Sequence, residues 1–257
     1  MDDPEGTPAG VDQQLEKSIS RITRSVPRLS RRAAGSVLKE ARQRKAEGLL
    51  SEALAMQIRV QRALSDRYGV DDPFAVGALA QVGTTLFDLE RWRTALDVYN
   101  QLERSYRQLN GPDDPRVIKV QVWKGLILGH LDQEEDAYDI LVTAVTTAQE
   151  VLGEDSDELA NYLTILARAQ VRGGDRAQAE ESIRQCLDIR SRILGGDDPL
   201  TIASLRDLAR LLYEDGSVDE AKVLASSLLV RTTERFGLDH QKTQLARELL
   251  EQIERTP

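Results

Sequence analysis

Residues 194–201 read Leu-Gly-Gly-Asp-Asp-Pro-Leu-Thr, and a related stretch returns at 236–243 as Phe-Gly-Leu-Asp-His-Gln-Lys-Thr. Stepping outward from Gly195 by 42 residues lands on Gly69, Gly111, Gly153 and Gly237 without a slip. The same step carries Asp197 onto Asp71, Asp113, Asp155 and Asp239. Gly fills 17 of the 257 positions, so recovering one Gly four more times in a fixed register has odds on the order of 10⁻⁵. The chain is a tandem array.

Each column of the array has a physical meaning. The Gly predicts a helix end, because Gly adopts the left-handed C′ conformation without a Cβ penalty. Asp72-Pro73, Asp114-Pro115 and Asp198-Pro199 then predict helix starts. Asp is a good N-cap, and Pro at the first helical position gives up an N–H that has no intrahelical partner there. A second turn falls midway, at Gly48, Glu90, Asp132, Gly174 and Gly216, and divides each repeat into two helices of about four turns. Seven residues before that turn stand only small residues: Ala41, Gly83, Gly125, Ala167 and Ala209. Five residues after it stand Ala53, Ala95, Ala137, Ala179 and Ala221. These columns face each other where the paired helices cross, since bulk there would hold the backbones apart. Each repeat is a helical hairpin, and the hairpins stack into an all-α solenoid.

Composition agrees with this reading. The chain is 40% hydrophobic but only 4% aromatic, which disfavours a β-sandwich and suits Ala/Leu-rich helices. It carries a formal charge of −9, a single Cys, and no run of about 18 apolar residues. The start, Met1-Asp2-Asp3-Pro4-Glu5-Gly6, lacks the apolar stretch of a secretory leader, so a cytoplasmic location is expected. Chemistry is not apparent. The two histidines, His130 and His240, lie more than two repeats apart, too far to share a metal or a catalytic triad. Cys186 shares a column with Val60, Leu102, Ala144 and Leu228, which reads as core. No phosphate loop, zinc-protease, nucleophile-elbow or calcium-loop pattern occurs. No enzyme activity, metal or cofactor is expected.

The period, the spacing of twelve between the small and Ala columns, the Gly inside the hairpin and the stretches at 194–201 and 236–243 resemble the tetratricopeptide repeat family. The similarity is greatest to its 42-residue subtype, found in kinesin light chains. The resemblance covers about residues 33–255 and divides the chain into hairpins at 33–72, 73–114, 115–156, 157–198 and 199–240, with a capping helix at 241–255. It implies a right-handed superhelix and a scaffold that binds a protein or peptide and, because fold does not define function, nothing about motors.

Residues 1–10 are expected to be disordered, and residues 11–32 to form a separate element. Leu15, Ile19, Ile22, Val26 and Leu29 make an apolar stripe. Lys17, Arg21, Arg24, Arg28 and Arg31 repeat the same spacing two residues later, a basic back on an amphipathic helix that Pro27 should kink or end. Residues 17–45 hold ten basic residues and one acid, a net +9 that leaves −18 for the remainder. Three roles are open: a cap on the first hairpin, self-association or partner gripping, and contact with an anionic membrane or nucleic acid. The last is disfavoured, because residues 1–67 contain no aromatic to insert or stack.

The resemblance also implies that the first helix of each hairpin lines a concave groove. In the middle repeats the inward positions include Lys119, Val122, Leu126 and Gly129; further on come Asn161, Thr164, Arg168 and Val171, then Ala203, Arg206, Arg210 and Tyr213. Arg168, Arg206 and Arg210 beside Asn161 and Tyr213 form a basic surface in an acidic chain, suited to a peptide with an acidic segment or a terminal carboxylate. The alternative is that these arginines pair with Asp175 or Asp207. The third repeat carries Gln121 and Lys124 where the others mostly have Leu or Val, and its apolar face includes Trp123. This reads either as local repacking or as a contact patch centred on Trp123. The expected function is therefore an adaptor that binds a partner in the groove. A regulatory peptide sensor is the alternative, and nucleic-acid or membrane contact through residues 17–45 is a third.

Overall fold

The computed structural model describes residues 29–255. Eleven helices run through them: α1 (Arg31–Ala46), α2 (Leu50–Tyr68), α3 (Pro73–Asp88), α4 (Trp92–Asn110), α5 (Pro115–His130), α6 (Glu134–Leu152), α7 (Asp157–Arg172), α8 (Arg176–Leu194), α9 (Pro199–Glu214), α10 (Val218–Phe236) and α11 (Gln241–Glu254). There is no strand among the described residues. Helices of 16 and 19 residues alternate from α1 to α10, and α11 has 14.

The helix starts come from one column. Ser30, Asp72, Asp114, Ser156, Asp198 and His240 are the N-caps of α1, α3, α5, α7, α9 and α11, and each side chain accepts a backbone N–H of its own first turn. His240, assigned above only to the linker, caps α11 by accepting the Lys242 N–H at Nδ1, 3.1 Å away. The helix stops differ from expectation in mechanism. Gly69, Gly111, Gly153, Gly195 and Gly237 have φ of 76–98°, but their ψ of 158–172° places them in an extended positive-φ region rather than in a left-handed turn. That region is essentially closed to any residue with a Cβ, so the Gly requirement is stricter than a left-handed cap would impose. The left-handed turns are those inside the repeats: Gly48, Gly174 and Gly216 have φ of 79–85°, and Glu90 and Asp132 adopt 59° and 57° despite their side chains.

The chain divides into two compact units, one ending at Leu131 and the other beginning at Asp132. In the first, α1 pairs with α2 and α3 with α4, while α2 also packs on α3 and α4 on α5. Its core gathers Leu54, Val76, Leu79, Leu86, Ala95, Tyr99, Leu102, Val120 and Ile127. In the second, α7 pairs with α8, α9 with α10, and α11 covers α10. Its core includes Ala167, Ala179, Ile183, Leu208, Leu212, Ala221 and Ile253. Both small columns are buried throughout, and a Cβ added at Gly83 would stand 3.2 Å from side-chain atoms of Val98 and Tyr99. This architecture is an all-α solenoid of antiparallel hairpins.

Two outcomes test this reading. Ala179→Leu overpacks a hairpin crossing and should cost about 1–3 kcal/mol by urea unfolding, whereas exposed Ala177→Leu in the same turn should stay within about 0.5 kcal/mol. Glu90→Gly relieves a non-Gly residue held at positive φ and should raise stability by about 0.5–1 kcal/mol in the same assay.

Candidate functional site

On the face formed by α7 and α9, Thr164, Ala167, Arg168, Val171, Arg172, Ile183, Asp207, Arg210, Leu211 and Glu214 line a cavity of about 420 Å³. Its apolar floor comes from Ala167, Val171, Ile183 and Leu211, which belong to or pack against the second unit's core. Its rim is charged in both signs. Arg210 lies 4.0 Å from Asp207, and Arg206 holds the same carboxylate at 2.7 Å and 3.1 Å. Glu214 is paired with Arg176 at 3.3 Å. Arg168 is exposed and has no hydrogen-bond or ion-pair partner among the described residues.

The basic surface expected from the sequence is thus narrower than drawn. Arg168 and Arg210 share the cavity, but Arg206 turns to Asp207 and is not among its lining residues. Tyr213 packs on the core and borders a different cleft, with Glu248, Glu251, Gln252 and Arg255. Asn161 is committed elsewhere: its Oδ1 accepts Arg190 Nη2 at 2.6 Å. Asp175 caps α8 by accepting the Gln178 N–H. Asp207, named above as an alternative partner of these arginines, does hold Arg206, whereas Glu214 was missed because it lies next to an inward position rather than in one.

Arg190 was also missed. Its column reads Leu64, Tyr106, Ala148 and Thr232 in the other repeats, yet its side chain is only 5% exposed. Besides Asn161 it donates to Ser204 Oγ at 2.7 Å, and Ser204 in turn contacts Cys186 Sγ at 3.4 Å. Thr164 Oγ1, on the cavity wall, lies 3.2 Å from the same sulfur. A buried polar network therefore joins α7, α8 and α9 directly beneath the cavity. Cys186 sits inside it as a 1% exposed core residue.

In the first unit, Trp123 is half-buried and no patch is centred on it. It packs edge-on to Phe87 with ring centroids 4.9 Å apart and stacks with Tyr99 at 5.7 Å. Trp92 and His130 extend the cluster, stacked at 4.0 Å. Lys119, on the same helix, is exposed and has no partner among the described residues. The unusual Gln121 and Lys124 have a shared cause: Lys124 Nζ donates to Glu103 Oε2 at 2.7 Å and Gln121 Nε2 to Oε1 at 3.3 Å. Glu103 occupies the column of Gln61, Val145, Leu187 and Leu229, so a polar triad stands at the α4–α5 contact where the later repeats are apolar. Burial pushes the Glu103 carboxyl up, but Lys124 and Arg107 outweigh burial and hold it below the usual range.

Of the basic back at the N-terminus, Lys17, Arg21, Arg24 and Arg28 lie outside the described residues. Arg31 belongs to the first turn of α1, not to a separate helix. It bonds Asp72 at 2.5 Å and lies over the rings of Tyr68 and Phe74 at 4.5 Å and 5.2 Å. Burial alone would raise the Asp72 carboxyl; Arg31 and the amides of Ala75 and Phe74 bring it below its ordinary value. Leu29, the last residue of the apolar stripe, packs with Val37, Leu38 and Tyr68 against the first hairpin.

These hairpins place the chain in the class of helical-repeat scaffolds. The tetratricopeptide repeat family model matches residues 116–191 and 172–225. Among solved structures, a Podosopora anserina putative kinesin light chain with nearly identical TPR-like repeats is 18% identical, with a TM-score of 0.70 over 80% of this chain and 98% of that one. A Pyrococcus horikoshii signal transduction ATPase with a tetratricopeptide repeat sensor is 14% identical, with a TM-score of 0.72 over 95% of this chain and 37% of that one. A Rap protein complexed with competence and sporulation factor is 12% identical, with a TM-score of 0.63 over 97% of this chain and 78% of that one. No curated protein matches by sequence. No described helix is long and apolar enough to cross a membrane, and no three His, Cys, Asp or Glu side chains among the described residues converge as metal ligands.

The Glu103 triad gives a pH prediction. A carboxylate whose folded pKa is depressed contributes stability above its unfolded pKa and loses it as pH falls through the folded value. Glu103→Gln should therefore cost about 2 kcal/mol at pH 7. The deficit should shrink as pH drops through and below 4.5, read by urea unfolding of both proteins from pH 7 to pH 3.

Proposed function

We propose that the chain is a non-catalytic adaptor that captures a peptide segment of a partner protein at the cavity between α7 and α9. The preferred segment pairs an acidic side chain with a neighbouring apolar one. The observation that carries this reading is Arg168, an exposed guanidinium without a partner at the rim of an apolar-floored cavity. Arg206 and Arg210 share Asp207, and Arg176 holds Glu214, so Arg168 is the rim arginine with no carboxylate beside it and the strongest candidate to choose the ligand. Its planar fork suits a carboxylate bidentately, and the floor of Ala167, Val171, Ile183 and Leu211 accepts an aliphatic side chain. The fold shared with the Rap protein solved with its competence and sporulation factor is consistent with a peptide-sized ligand.

Selection from a random displayed-peptide library on the full chain, beside an Arg168→Glu variant, tests the reading. The unaltered chain should enrich peptides with Asp or Glu next to Leu, Ile, Val or Phe. Arg168→Glu should lose that enrichment and weaken binding of the selected peptides by about tenfold or more. Equal enrichment by both proteins, or enrichment of basic peptides by the unaltered chain, would overturn it.

A further inference from the structure

The opposite side of the same unit, built by second helices, carries a cleft of another character. Thr146, Gln149, Glu150 and Glu154 from α6 and its following turn face Gln185, Asp188, Ile189 and Arg192 of α8 across about 490 Å³, with Leu159 of α7 at the base. Leu159 and Ile189 make an apolar floor. The rim is acidic, and its one cation is already held: Arg192 pairs with Asp155 and, at 3.1 Å, with Asp188.

The helix beside this cleft is unlike its counterparts. α6 contains Glu134, Glu135, Asp136, Asp139 and Glu150 and no Lys or Arg, whereas α4 and α8 mix both signs. None of those five carboxylates, nor Glu154, has an ion-pair partner among the described residues, and all six are exposed. Thr143 and Thr147, which lie between them along the helix, turn their hydroxyls back to the carbonyls of Asp139 and Thr143. Of the six, Glu150 and Glu154 line the cleft, and the other four add uncompensated negative charge further along the same helix.

The chain holds the complement. The 28 residues preceding Leu29 lie outside the described structure, and among them Lys17, Arg21, Arg24 and Arg28 recur with helical spacing, with no acid from 17 to 28. Leu15, Ile19, Ile22 and Val26 supply the apolar stripe for the groove floor. The α7–α9 cavity suits this segment less well, because Arg168, Arg172 and Arg210 line it against only two acids, Asp207 and Glu214. We infer that the α6–α8 cleft is a self-association site, which receives the basic segment 11–28 of a second copy of the chain. The unpaired acids of α6 steer the segment, and its apolar stripe seats on Leu159 and Ile189.

The test is the mass of the full chain by sedimentation equilibrium across a concentration series, with three variant sets. One reverses the cleft by Glu150→Arg and Glu154→Arg, one reverses the segment by Lys17→Glu, Arg21→Glu, Arg24→Glu and Arg28→Glu, and one combines both. All the altered side chains of the cleft are exposed, and circular-dichroism melts check that folding is unchanged. The unaltered chain should associate above its 28.7 kDa chain mass, more weakly as salt rises. Either reversal alone should weaken association by about tenfold or more, and the combined set should restore it to within about threefold. A chain that stays monomeric throughout, or whose association ignores the cleft reversal, overturns the inference, as does failure of the combined set to restore it. Arg168 takes no part in this measurement, so its outcome is independent of the peptide-capture reading.

Discussion

At the crossing inside the second hairpin, Gly83 leaves little room: an added carbon would stand 3.2 Å from side-chain atoms of Val98 and Tyr99, closer than ordinary contact. The same restriction is met by Ala41 with Ala53, Ala167 with Ala179 and Ala209 with Ala221, all between 0% and 2% exposed. Small residues let paired helices approach until neighbouring turns interlock, as Tyr99 does by lying along Gly83. That approach sets where the outer sides of the pair fall, and those sides are the docking surface for the next helix. Interior packing tolerates little misfit, so an error at the crossing would be carried to the next contact. The caps support this spacing by ending and restarting the chain at fixed points. With Ser30, Asp72, Asp114, Ser156, Asp198 and His240 in one column, every first helix begins at the same phase.

Within that regular frame, individuality resides in the contacts between successive hairpins. Glu103, Gln121 and Lys124 form a polar triad where Leu187, Leu205 and Leu208 meet in the second unit's core. Arg190 does the same at the α7–α8–α9 contact, with Asn161 and Ser204 as partners. Such groups are costly to bury without their complements, which makes each contact intolerant of the wrong neighbour even where its apolar alternative would be as stable. A repeat protein whose interfaces were all alike could slip by one unit. Two polar contacts of different composition break that degeneracy.

The periodic part of this architecture was legible because it depends on local chemistry repeated in register. Gly, Asp and Pro columns marked the ends of helices, and the small and Ala columns marked their crossings. One mechanism was misjudged: the helix-ending glycines adopt an extended positive-φ conformation, and nothing in a column of Gly distinguishes that from a left-handed turn. The polar exceptions were half legible. Gln121 and Lys124 stood out against Leu and Val, but their cause, Glu103, lies on another helix and becomes visible only when its own column of Val145, Leu187 and Leu229 is compared. Arg190 stood in a column of Leu64 and Ala148 and drew no notice, because arginine is so often a surface residue.

The candidate site shows why charge is harder to read than packing in a repeat. Register places Arg168, Arg206 and Arg210 on one face, and counting them predicts a strongly basic surface. What a ligand meets is the charge left after local pairing. Asp207 belongs to a neighbouring column, occupied by Gln81, Trp123 and Ile165 elsewhere, and it holds Arg206 at 2.7 Å and lies 4.0 Å from Arg210. Glu214 is likewise answered by Arg176 from the start of α8. Arg168 has no such neighbour, so it alone of the three arginines stands without a carboxylate beside it. The reverse applies to α6, whose acids stay unpaired because that helix supplies no base of its own. Selectivity on such a scaffold is a property of adjacent columns taken together, and the residue that breaks a local pairing matters more than the number of like charges aligned along a face.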